Sequence, residues 1–368
     1  MRLVTVLGTR PEIIRLARII PLLDDHAEHL LIHTGQNRDP RLSDIFFSDL
    51  GVRQPDVHLG IVATSFGEQV AQIIQGVESE LLRIRPDRLL ILGDTNSGLA
   101  AFVACRMGIP VYHLEAGNRC FDDRVPEEVN RRVIDHSSSV LLPYTERSRA
   151  NLRREGIASD RIFVVGNPIL EVLESQRPAI SASDIHARLG VERGGFFLVT
   201  THRQENVDDE DRLRSIIESL LALVRTYDTP LVWAVHPRTS ARLESFGLGA
   251  TDSRLIITEP LGFADFVALE GTARCVLSDS GTVQEECCIL RIPNVTLRDV
   301  TERPETLECG SNILSGVAPD DVLRTVALAL ARPPAWTPPA EYMVRNVSET
   351  VARVVLGYGP SDRSPRTA

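Results

Sequence analysis

Short apolar strands alternate with helical segments along almost the whole chain, and this alternation limits the possible folds more than any other feature. In the first half, strands are predicted at 3–7, 30–33, 89–92, 111–114, 140–142 and 162–165, with helices near 11–24, 65–85, 96–107, 126–136 and 145–155. The second half repeats the scheme, with strands at 196–200, 231–235, 255–257, 275–277 and 294–296 and helices near 209–225, 263–270, 282–290 and 320–331. This pattern is typical of doubly wound parallel sheets. We therefore predict an α/β protein with two Rossmann-like domains and a cleft between them.

The alternation is interrupted at residues 172–184, where polar and small residues surround Pro178. Such a stretch is typical of a linker, so we expect an N-terminal domain at 1–172 and a C-terminal domain at 184–340. A Pro-rich stretch at 333–339 precedes a last amphipathic helix, predicted at 341–356. The tail from Gly357 is expected to be disordered.

All 40 basic residues of this 368-residue chain are arginine. The lack of lysine excludes Schiff-base and pyridoxal-phosphate chemistry and a P-loop. The net charge of −10 argues against non-specific nucleic-acid binding, and the six cysteines show no zinc or disulfide spacing. A strand begins at Arg2, and no apolar run approaches the roughly 20 residues of a membrane span. We therefore expect a cytoplasmic protein that binds neither nucleic acid nor membrane.

The stretch 111–136 carries the densest group of ionisable side chains. A buried strand ends at Leu114, and Pro126 is typical of a helix start. Glu115 and Glu127 are therefore predicted beyond the carboxyl end of a sheet, where open α/β folds bind ligands. The accompanying arginines are Arg119, Arg124 and Arg131. The alternative is a solvated loop with surface ion pairs.

Other strands also end in polar motifs. Arg10 follows the first strand at a helix start that would suit a phosphate, although a lone Gly-rich turn there is more often structural. Asp94 and His202 each follow a strand, either as helix caps or as acid/base groups. The stretch 277–286 offers Ser280, Gly281 and Thr282 to a diphosphate and Glu286 to ribose hydroxyls, and Arg303 follows a further strand. Convergence of these motifs on one cleft favours a ligand site.

As a set, these motifs resemble those of the bacterial non-hydrolysing UDP-N-acetylglucosamine 2-epimerases. The matching stretches are 8–12, 93–95, 113–117, 126–131, 166–167, 202–203, 235–237, 279–281, 284–286 and 301–305. The resemblance implies a glycosyltransferase-B-like fold, with a final helix at about 341–358 packing back on the first domain, and a homodimer that needs no nicotinamide or metal cofactor.

The resemblance also implies a reaction, the interconversion of UDP-GlcNAc and UDP-ManNAc. UDP is eliminated to leave 2-acetamidoglucal and then adds again while C2 is protonated on the opposite face. Such an inversion needs a base on each face of C2 and groups that stabilise the departing diphosphate. A cluster of carboxylates beside arginines meets both needs.

Carried over to this chain, the family's site residues fall mostly at predicted strand ends. The resemblance implies a catalytic set of Asp94, Glu115, Glu127 and His202. It implies UDP-sugar contacts from Arg10, Arg15, Arg131, Phe266, Ser280, Gly281, Thr282, Glu286 and Arg303. Two of these depart from the family pattern, since many members have lysine in place of Arg15 and glycine in place of Thr282.

Other departures leave the sugar open. Residues 118–122 and 124–126 are more similar to relatives that epimerise 6-deoxy UDP-acetamido sugars of the UDP-L-FucNAc type. Further alternatives are a hydrolysing epimerase that releases UDP and N-acetylmannosamine, a glycosyltransferase of the same fold and a non-catalytic nucleotide-sugar binder. In the family's allosteric segment, here 35–40, Asn37 replaces the usual histidine and Asp39 adds a negative charge. We therefore predict weak or absent activation by a second UDP-GlcNAc.

Overall fold

The computed structural model describes residues 1–35, 44–249 and 252–359. The chain forms two compact units: unit 1 comprises Met1–Glu174 and the chain from Glu341 onward, and unit 2 comprises Ser175–Ala340. Except for Gly35, the segment 35–40 lies outside the described residues, so the weak allosteric activation stays a prediction. Within the described ranges, no helix is both long and apolar enough to cross a membrane.

Unit 1 is built on a parallel six-stranded sheet. Its strands are β1 (Arg2–Leu7), β2 (Glu28–His33), β3 (Val57–His58), β4 (Arg88–Leu92), β5 (Val111–Leu114) and β6 (Val140–Leu142). Their spatial order is β3-β2-β1-β4-β5-β6, which is the order of a Rossmann fold. The order reverses between β1 and β4, and ligands of such sheets bind outside the carboxyl ends of the strands at this switch point.

Helices connect these strands. They are α1 (Arg10–Leu16), α2 (Ile19–Asp24), α3 (Asp44–Asp49), α4 (Phe66–Ile84), α5 (Ala100–Arg106), α6 (Pro126–Ser137), α7 (Glu146–Arg154) and α8 (Ile169–Ser175). The longest, α4, begins where the Ser65 hydroxyl accepts the Glu68 N–H at 3.2 Å. It buries Ile73, Val77 and Leu81, which are spaced four residues apart and form one apolar face against the sheet.

Unit 2 repeats this topology. Its strands are β7 (Phe197–Thr200), β8 (Leu231–Ala234), β9 (Leu255–Thr258), β10 (Cys275–Ser278), β11 (Asn294–Thr296) and β12 (Asn312–Leu314). The order β12-β11-β10-β7-β8-β9 is the same Rossmann order read from the opposite edge, so the switch point lies between β7 and β10. The prediction of two Rossmann-like α/β domains is confirmed.

The helices of unit 2 are α9 (Arg177–Ala182), α10 (Ile185–Leu189), α11 (Gln204–Val207), α12 (Glu210–Tyr227), α13 (Pro237–Ser245), α14 (Phe263–Glu270), α15 (Gly281–Leu290), α16 (Pro304–Glu308) and α17 (Pro319–Leu330). The stretch 172–184, predicted as a linker, is therefore largely helical. Trp233 on β8 is completely buried in a core that includes Leu220 and Leu223 of α12 and Val322 of α17.

The end of the chain belongs to unit 1. Helix α18 (Val347–Gly357) packs on α2, and a short 3₁₀ turn at Ala340–Met343 precedes it. The prediction of one helix over 341–356 is thus wrong at its start. The expected disorder from Gly357 is also wrong for the first residues of the tail, because Tyr358 packs edge-on against Phe163 and accepts a hydrogen bond from Tyr112.

Two predicted elements of unit 1 differ from the structure for reasons that involve proline. The stretch 162–165 forms only an isolated bridge, in which Ile162 pairs with Leu141. Pro143 accepts the Val165 N–H but has no N–H of its own to donate in return, so the ladder does not continue. The helix predicted at 11–24 is divided into α1 and α2, because Pro21 cannot donate to the preceding turn.

Gly8, at the end of β1, has no room for a side chain. An added Cβ would lie 2.1 Å from Thr34 Oγ1 and 2.2 Å from Ser97 Oγ. We expect Gly8→Ala to lower the free energy of unfolding by about 1–3 kcal/mol, because the core must shift to admit the methyl group. Urea denaturation followed by far-ultraviolet circular dichroism measures this change. Gly67→Ala is the control, since its Cβ meets no atom within 4 Å; equal stability of both variants would contradict the prediction.

Candidate active site

A buried carboxylate, Glu12, joins the two switch-point strands of unit 1. Its Oε2 accepts the N–H groups of Gly8 at 2.9 Å and Thr9 at 2.7 Å, and its Oε1 accepts the Thr95 hydroxyl beyond β4 at 3.2 Å. Burial raises the pKa of Glu12 to about 7, although these donors work in the opposite direction. Sequence reasoning did not include Glu12 among the site residues, but the Thr-x-x-Glu capping box was a visible signal.

Asp94 follows β4 and is paired with Arg131 of α6. Both Nε and Nη2 of Arg131 lie close to Asp94 Oδ2, at 2.8 and 2.7 Å. Thr95, not Asp94, is the N-cap of the next helical turn, so the alternative that Asp94 is a helix cap is wrong. The pair places a partly exposed carboxylate and a buried guanidinium together at the switch point.

Glu115 directly follows β5 and adopts a φ of 71°, a left-handed conformation that is costly for a residue with a Cβ. Its Oε2 lies 3.9 Å from Nε of Arg15, and its Oε1 accepts the Asn118 amide at 3.3 Å. Arg15 is itself buried and donates to Asn167 at 2.6 Å, and its guanidinium faces the ring of Tyr144. The unusual backbone is therefore held by partners from several elements.

Residues on both sides of Glu115 in the sequence belong to a buried charge cluster. His113 of β5 bonds to Asp135 through Nδ1 and to the Gly93 carbonyl through Nε2, both at 2.8 Å. Asp135 also pairs with Arg119 at 2.8 Å. Burial alone would raise the pKa of the Asp135 carboxyl, but His113 and Arg119 outweigh it and lower the pKa. The cluster links the ends of β4 and β5, and the alternative of a solvated loop is wrong for Arg119.

The first turn of α6 presents two neighbouring carboxylates. Glu127 is half-buried, whereas Glu128 is completely buried. Glu128 accepts the N–H groups of Cys120 at 3.0 Å and Phe121 at 3.1 Å and pairs with Arg131 at 2.7 Å. Glu128 thus holds the loop that contains Cys120 and Phe121. The sequence did not predict this role, because Glu127 and Glu128 are adjacent and of the same type.

Arg10 is the remaining site residue predicted in unit 1. It is the first residue of α1, directly beyond the β1 end. Its guanidinium faces the ring of Phe46 on α3, with 5.4 Å between Cζ and the ring centroid. Cation–π contact of this kind orients the side chain without using its N–H donors.

In unit 2, a buried carboxylate again joins the switch-point strands. Asp279 follows β10 and accepts the backbone N–H groups of His202 and Arg203, which follow β7, each at 3.0 Å. It also lies 3.2 Å from Nδ1 of His202. Burial acts to raise the pKa of Asp279, but His202, the N–H groups and Asn206 together lower it to about 2. Asp279 therefore orients His202, whose ring also packs against that of His236.

His202 is not a helix cap, since the N-cap of α11 is Arg203. Arg203 also belongs to a partly buried chain of alternating charges. It donates to Glu302 at 3.1 Å, Glu302 accepts from Arg298 at 2.8 Å, and Arg298 donates to Glu205 at 3.1 Å. The chain connects the loops after β7 and β11. Nothing in the spacing of these four residues indicated that they would meet.

The small residues after β10 form the start of α15. Ser280 is its N-cap, and the Ser280 and Thr282 hydroxyls are 3.1 Å apart. A Cβ on Gly281 would lie 2.5 Å from Oε1 of Glu302, so any larger residue would have to displace this carboxylate, which is paired with Arg203 and Arg298. The helix therefore begins with hydroxyls and N–H groups, which are suitable donors for an anion.

Glu286, in the second turn of α15, is buried beside Glu270, the last residue of α14. Burial and the charge of Glu286 raise the pKa of Glu270 well above its usual range. The fold therefore favours the neutral form of Glu270, and its Oε1 lies 3.5 Å from the thiol of Cys287. Phe266 lies one turn before Glu270 on α14 and packs against the apolar core of that side of the sheet.

Arg303 is almost completely buried and donates from Nε to Glu285, which lies on α15 directly before Glu286. Its backbone N–H donates to the Thr301 hydroxyl at 3.0 Å. A buried ion pair of this kind fixes the direction of the guanidinium, because breaking it would leave an uncompensated charge. Among the described residues, no group of three or more His, Cys, Asp or Glu side chains is arranged to hold a metal ion.

The candidate residues thus form two sets, each at the carboxyl end of its own Rossmann-like sheet. A sequence model of a family described as UDP-N-acetylglucosamine 2-epimerase matches residues 22–356. A protein of Methanocaldococcus jannaschii described as a UDP-N-acetylglucosamine 2-epimerase is 41% identical over 367 residues, which are 98% of this chain and all of that protein. The chain belongs to the UDP-N-acetylglucosamine 2-epimerase family.

Structures and more distant relatives agree with membership of this family. The crystal structure of the M. jannaschii UDP-GlcNAc 2-epimerase with UDP-GlcNAc and UDP superposes with a TM-score of 0.93 at 40% identity, over 98% of this chain and 100% of that one. A Pseudomonas aeruginosa UDP-2,3-diacetamido-2,3-dideoxy-D-glucuronate 2-epimerase is 34% identical over 90% of this chain and 93% of its own. WaaG, a glycosyltransferase with 12% identity and a TM-score of 0.60 over 96% of this chain and all of its own, shares the fold alone.

Asp279 should make unit 2 sensitive to acid. Because its folded pKa of about 2 lies below the usual 3.8, the ionised carboxylate stabilises the fold above pH 4 and loses this effect as the pH falls towards 2. We expect Asp279→Asn to remove about 2 kcal/mol of stability at pH 6 and to flatten the acid dependence. Urea denaturation followed by tryptophan fluorescence reports on unit 2, since Trp233 and Trp336 both belong to it.

The matched control for this prediction is Asp299→Asn. Asp299 is 48% exposed and pairs with Arg212 at the surface, and such pairs contribute roughly 0–1 kcal/mol. If Asp279→Asn lost no more stability than the control and kept the wild-type pH dependence, the role assigned to the buried carboxylate would be wrong.

Glu270 should have the opposite pH dependence. Because its folded pKa is raised, unit 2 favours the protonated form, and stability falls as the pH rises above about 4.5 towards that folded pKa. Glu270→Gln mimics the protonated group, so the free energy of unfolding of the variant should not decline in this way. At higher pH it should exceed that of the wild type. The same tryptophan denaturation, repeated from pH 5 to 9, measures the difference. Glu285→Gln, which unpairs Arg303, should instead lower the free energy of unfolding at every pH. If this free energy depended on pH equally in the wild type and in Glu270→Gln, the raised pKa assigned to Glu270 would be wrong.

Proposed function

We propose that the protein inverts C2 of a UDP-acetamido sugar, with interconversion of UDP-GlcNAc and UDP-ManNAc as the reaction. The observation that carries the proposal is the pairing of carboxylates with buried arginines beyond β4 and β5, in a member of this epimerase family. The reaction requires such a set, because a proton must leave and return at C2 while a diphosphate departs and returns at C1.

The residues of unit 1 supply the acid/base chemistry in this proposal. A carboxylate takes the C2 proton, the C1–O bond breaks with its electron pair leaving on UDP, and a C1=C2 double bond forms. UDP then adds again at C1 while an acid protonates C2 on the opposite face. Glu115 and Glu127 are the proposed proton-transfer groups. Asp94 orients Arg131, with which it is in contact.

The residues of unit 2 bind the nucleotide in this proposal. The hydroxyls and N–H groups at the start of α15 bind the diphosphate, with Arg303 held in place by Glu285. Because burial and the charge of Glu286 raise the pKa of Glu270, we propose that Glu286 is the ionised member of the pair; a carboxylate accepts hydrogen bonds from two ribose hydroxyls. His202, oriented by Asp279, completes the catalytic set, and we propose a contact between Phe266 and the uracil ring.

A second sugar remains a specific candidate. Residues 118–122 precede α6, and Phe121 is 70% exposed with a φ of 56°. A loop with such a side chain would accept a sugar with a less polar C6 group than that of GlcNAc. A 6-deoxy UDP-acetamido sugar is therefore the second substrate to assay.

We also propose that the protein is a homodimer, which light scattering coupled to size-exclusion chromatography would test.

The direct test uses the purified protein with UDP-GlcNAc in deuterated water, without any sugar acceptor. Proton NMR should show loss of the C2 proton signal together with appearance of UDP-ManNAc. Release of free N-acetylmannosamine would instead indicate a hydrolysing epimerase. An unchanged substrate would overturn the assignment to UDP-GlcNAc, and the same experiment with a 6-deoxy UDP-acetamido sugar would then test the second candidate.

Binding and chemistry should separate in variants of the site. We expect Glu115→Gln, Glu127→Gln and Asp94→Asn each to lower turnover by roughly 10²–10⁴-fold, with little change in UDP affinity, because each removes a proton-transfer or orienting carboxylate. Glu286→Ala should mainly weaken UDP binding. Turnover is measured by NMR and affinity by isothermal titration calorimetry.

The control for these variants is Glu218→Gln, which changes an exposed carboxylate on α12 and should leave both quantities unchanged. Any of the first three variants that kept turnover near that of the control would have a structural role only. If Glu286→Ala bound UDP as tightly as the control, the assignment of Glu286 to the ribose would be wrong.

A further inference from the structure

Two cysteines of unit 2 lie side by side. The Sγ atoms of Cys288 and Cys309 are 3.7 Å apart, although the residues are 21 positions apart in the sequence. Cys288 lies in the last part of α15 and is completely buried, whereas Cys309 directly follows α16 and is partly exposed. Cysteine spacing did not suggest this pair, because the contact depends on how α15 and α16 pack.

The surroundings of the two thiols are unequal. Cys309 Sγ also lies 3.4 Å from the Ser311 hydroxyl and 3.5 Å from the Thr306 carbonyl. The Cys288 thiol and the Ser311 hydroxyl act as donors and lower the pKa of Cys309 to about 6, although burial works against this shift. The same contact, with burial, raises the pKa of Cys288. Cys309 is therefore the thiol of the pair that loses its proton more readily, and it is also the more accessible residue.

We propose that Cys288 and Cys309 are a dithiol that oxidises reversibly to an intramolecular disulfide. The oxidant is a low-molecular-weight disulfide. The Cys309 thiolate attacks it and releases one small thiol, which leaves a mixed disulfide on Cys309. Cys288 then loses its proton and attacks Cys309 Sγ, releasing the second small thiol. The protein loses two electrons and two protons, and the oxidant becomes two thiols.

Closure of the disulfide requires only a local movement. The sulfur atoms would approach from 3.7 Å to about 2.05 Å, and we infer that the end of α16 moves towards α15 as they do. Glu285 and Glu286 lie on α15 just before Cys288, and α16 begins directly after Arg303. The movement therefore acts on both partners of the Arg303–Glu285 ion pair. Because these residues bind the nucleotide in the proposed function, we infer that oxidation weakens UDP binding; this step rests on that function.

The test begins with mass spectrometry of the full chain after incubation with oxidised glutathione at pH 8. The protein is then digested with a protease that cleaves after arginine. This places Cys288 in the peptide 275–291 and Cys309 in the peptide 299–324, because the proline after Arg303 prevents cleavage there. We expect these two peptides to be joined by a disulfide, with the mass lower by two hydrogen atoms, and to separate after treatment with dithiothreitol.

Two single variants make the result specific. Cys287→Ala removes the neighbouring thiol of the same peptide and should leave the linkage intact, whereas Cys288→Ala should stop the reaction at a glutathione adduct on Cys309. Linkage that disappears in Cys287→Ala, or a wild type with only a glutathione adduct, would overturn the proposed pair. Both results are read from covalent mass and do not depend on enzyme activity.

The second step is tested by titration calorimetry with UDP on reduced and oxidised protein. We expect the dissociation constant to rise on oxidation and to return to its reduced value with dithiothreitol. A linked pair of peptides with unchanged UDP affinity would overturn the coupling to the nucleotide residues. Failure of the reduced protein to bind UDP would instead count against the proposed function, and the peptide linkage would still decide the disulfide.

Discussion

The structure depends on buried carboxylates that hold strand ends together. Where a strand gives way to a loop, its N–H groups lose their ladder partners, and an unsatisfied buried N–H is costly. Glu12 in unit 1 and Asp279 in unit 2 each accept two such N–H groups after one switch-point strand and a further donor from another element. These bonds keep the loops in place at the edge where ligands bind.

The two units use similar topology for different chemistry. Unit 1 gathers carboxylates and arginines after β4 and β5, whereas unit 2 begins α15 with hydroxyls and a glycine and places a buried carboxyl pair between α14 and α15. Arginine carries every positive side-chain charge other than histidine, and its planar guanidinium suits both carboxylate and phosphate. The division of labour in the proposed function therefore follows from which side chains stand at the strand ends, since the sheets themselves have the same strand order.

Sequence patterns predicted the elements whose signals are local. The start of α6 at Pro126 and the extent of α14 over 263–270 are confirmed, because proline and apolar periodicity act within one helix. Strands β3 and β12 were missed because two or three residues carry no recognisable alternation. The partners of His202 and Glu286 were also missed, because contacts across parallel strands join residues far apart in sequence. The roles of the predicted site residues stay predictions.

The chain returns to unit 1 only after unit 2 has been completed. During synthesis on the ribosome, the stretch from Ser175 to Ala340 is continuous and holds all six strands of its own sheet, so it can fold as soon as it has emerged. Unit 1 has its whole sheet earlier but lacks α18, which packs on α2, until the chain beyond unit 2 has been made. Until then, the apolar face of α2 that α18 will cover is open to other chains or to a chaperone, and a nascent chain that stops before Glu341 would keep that face uncovered.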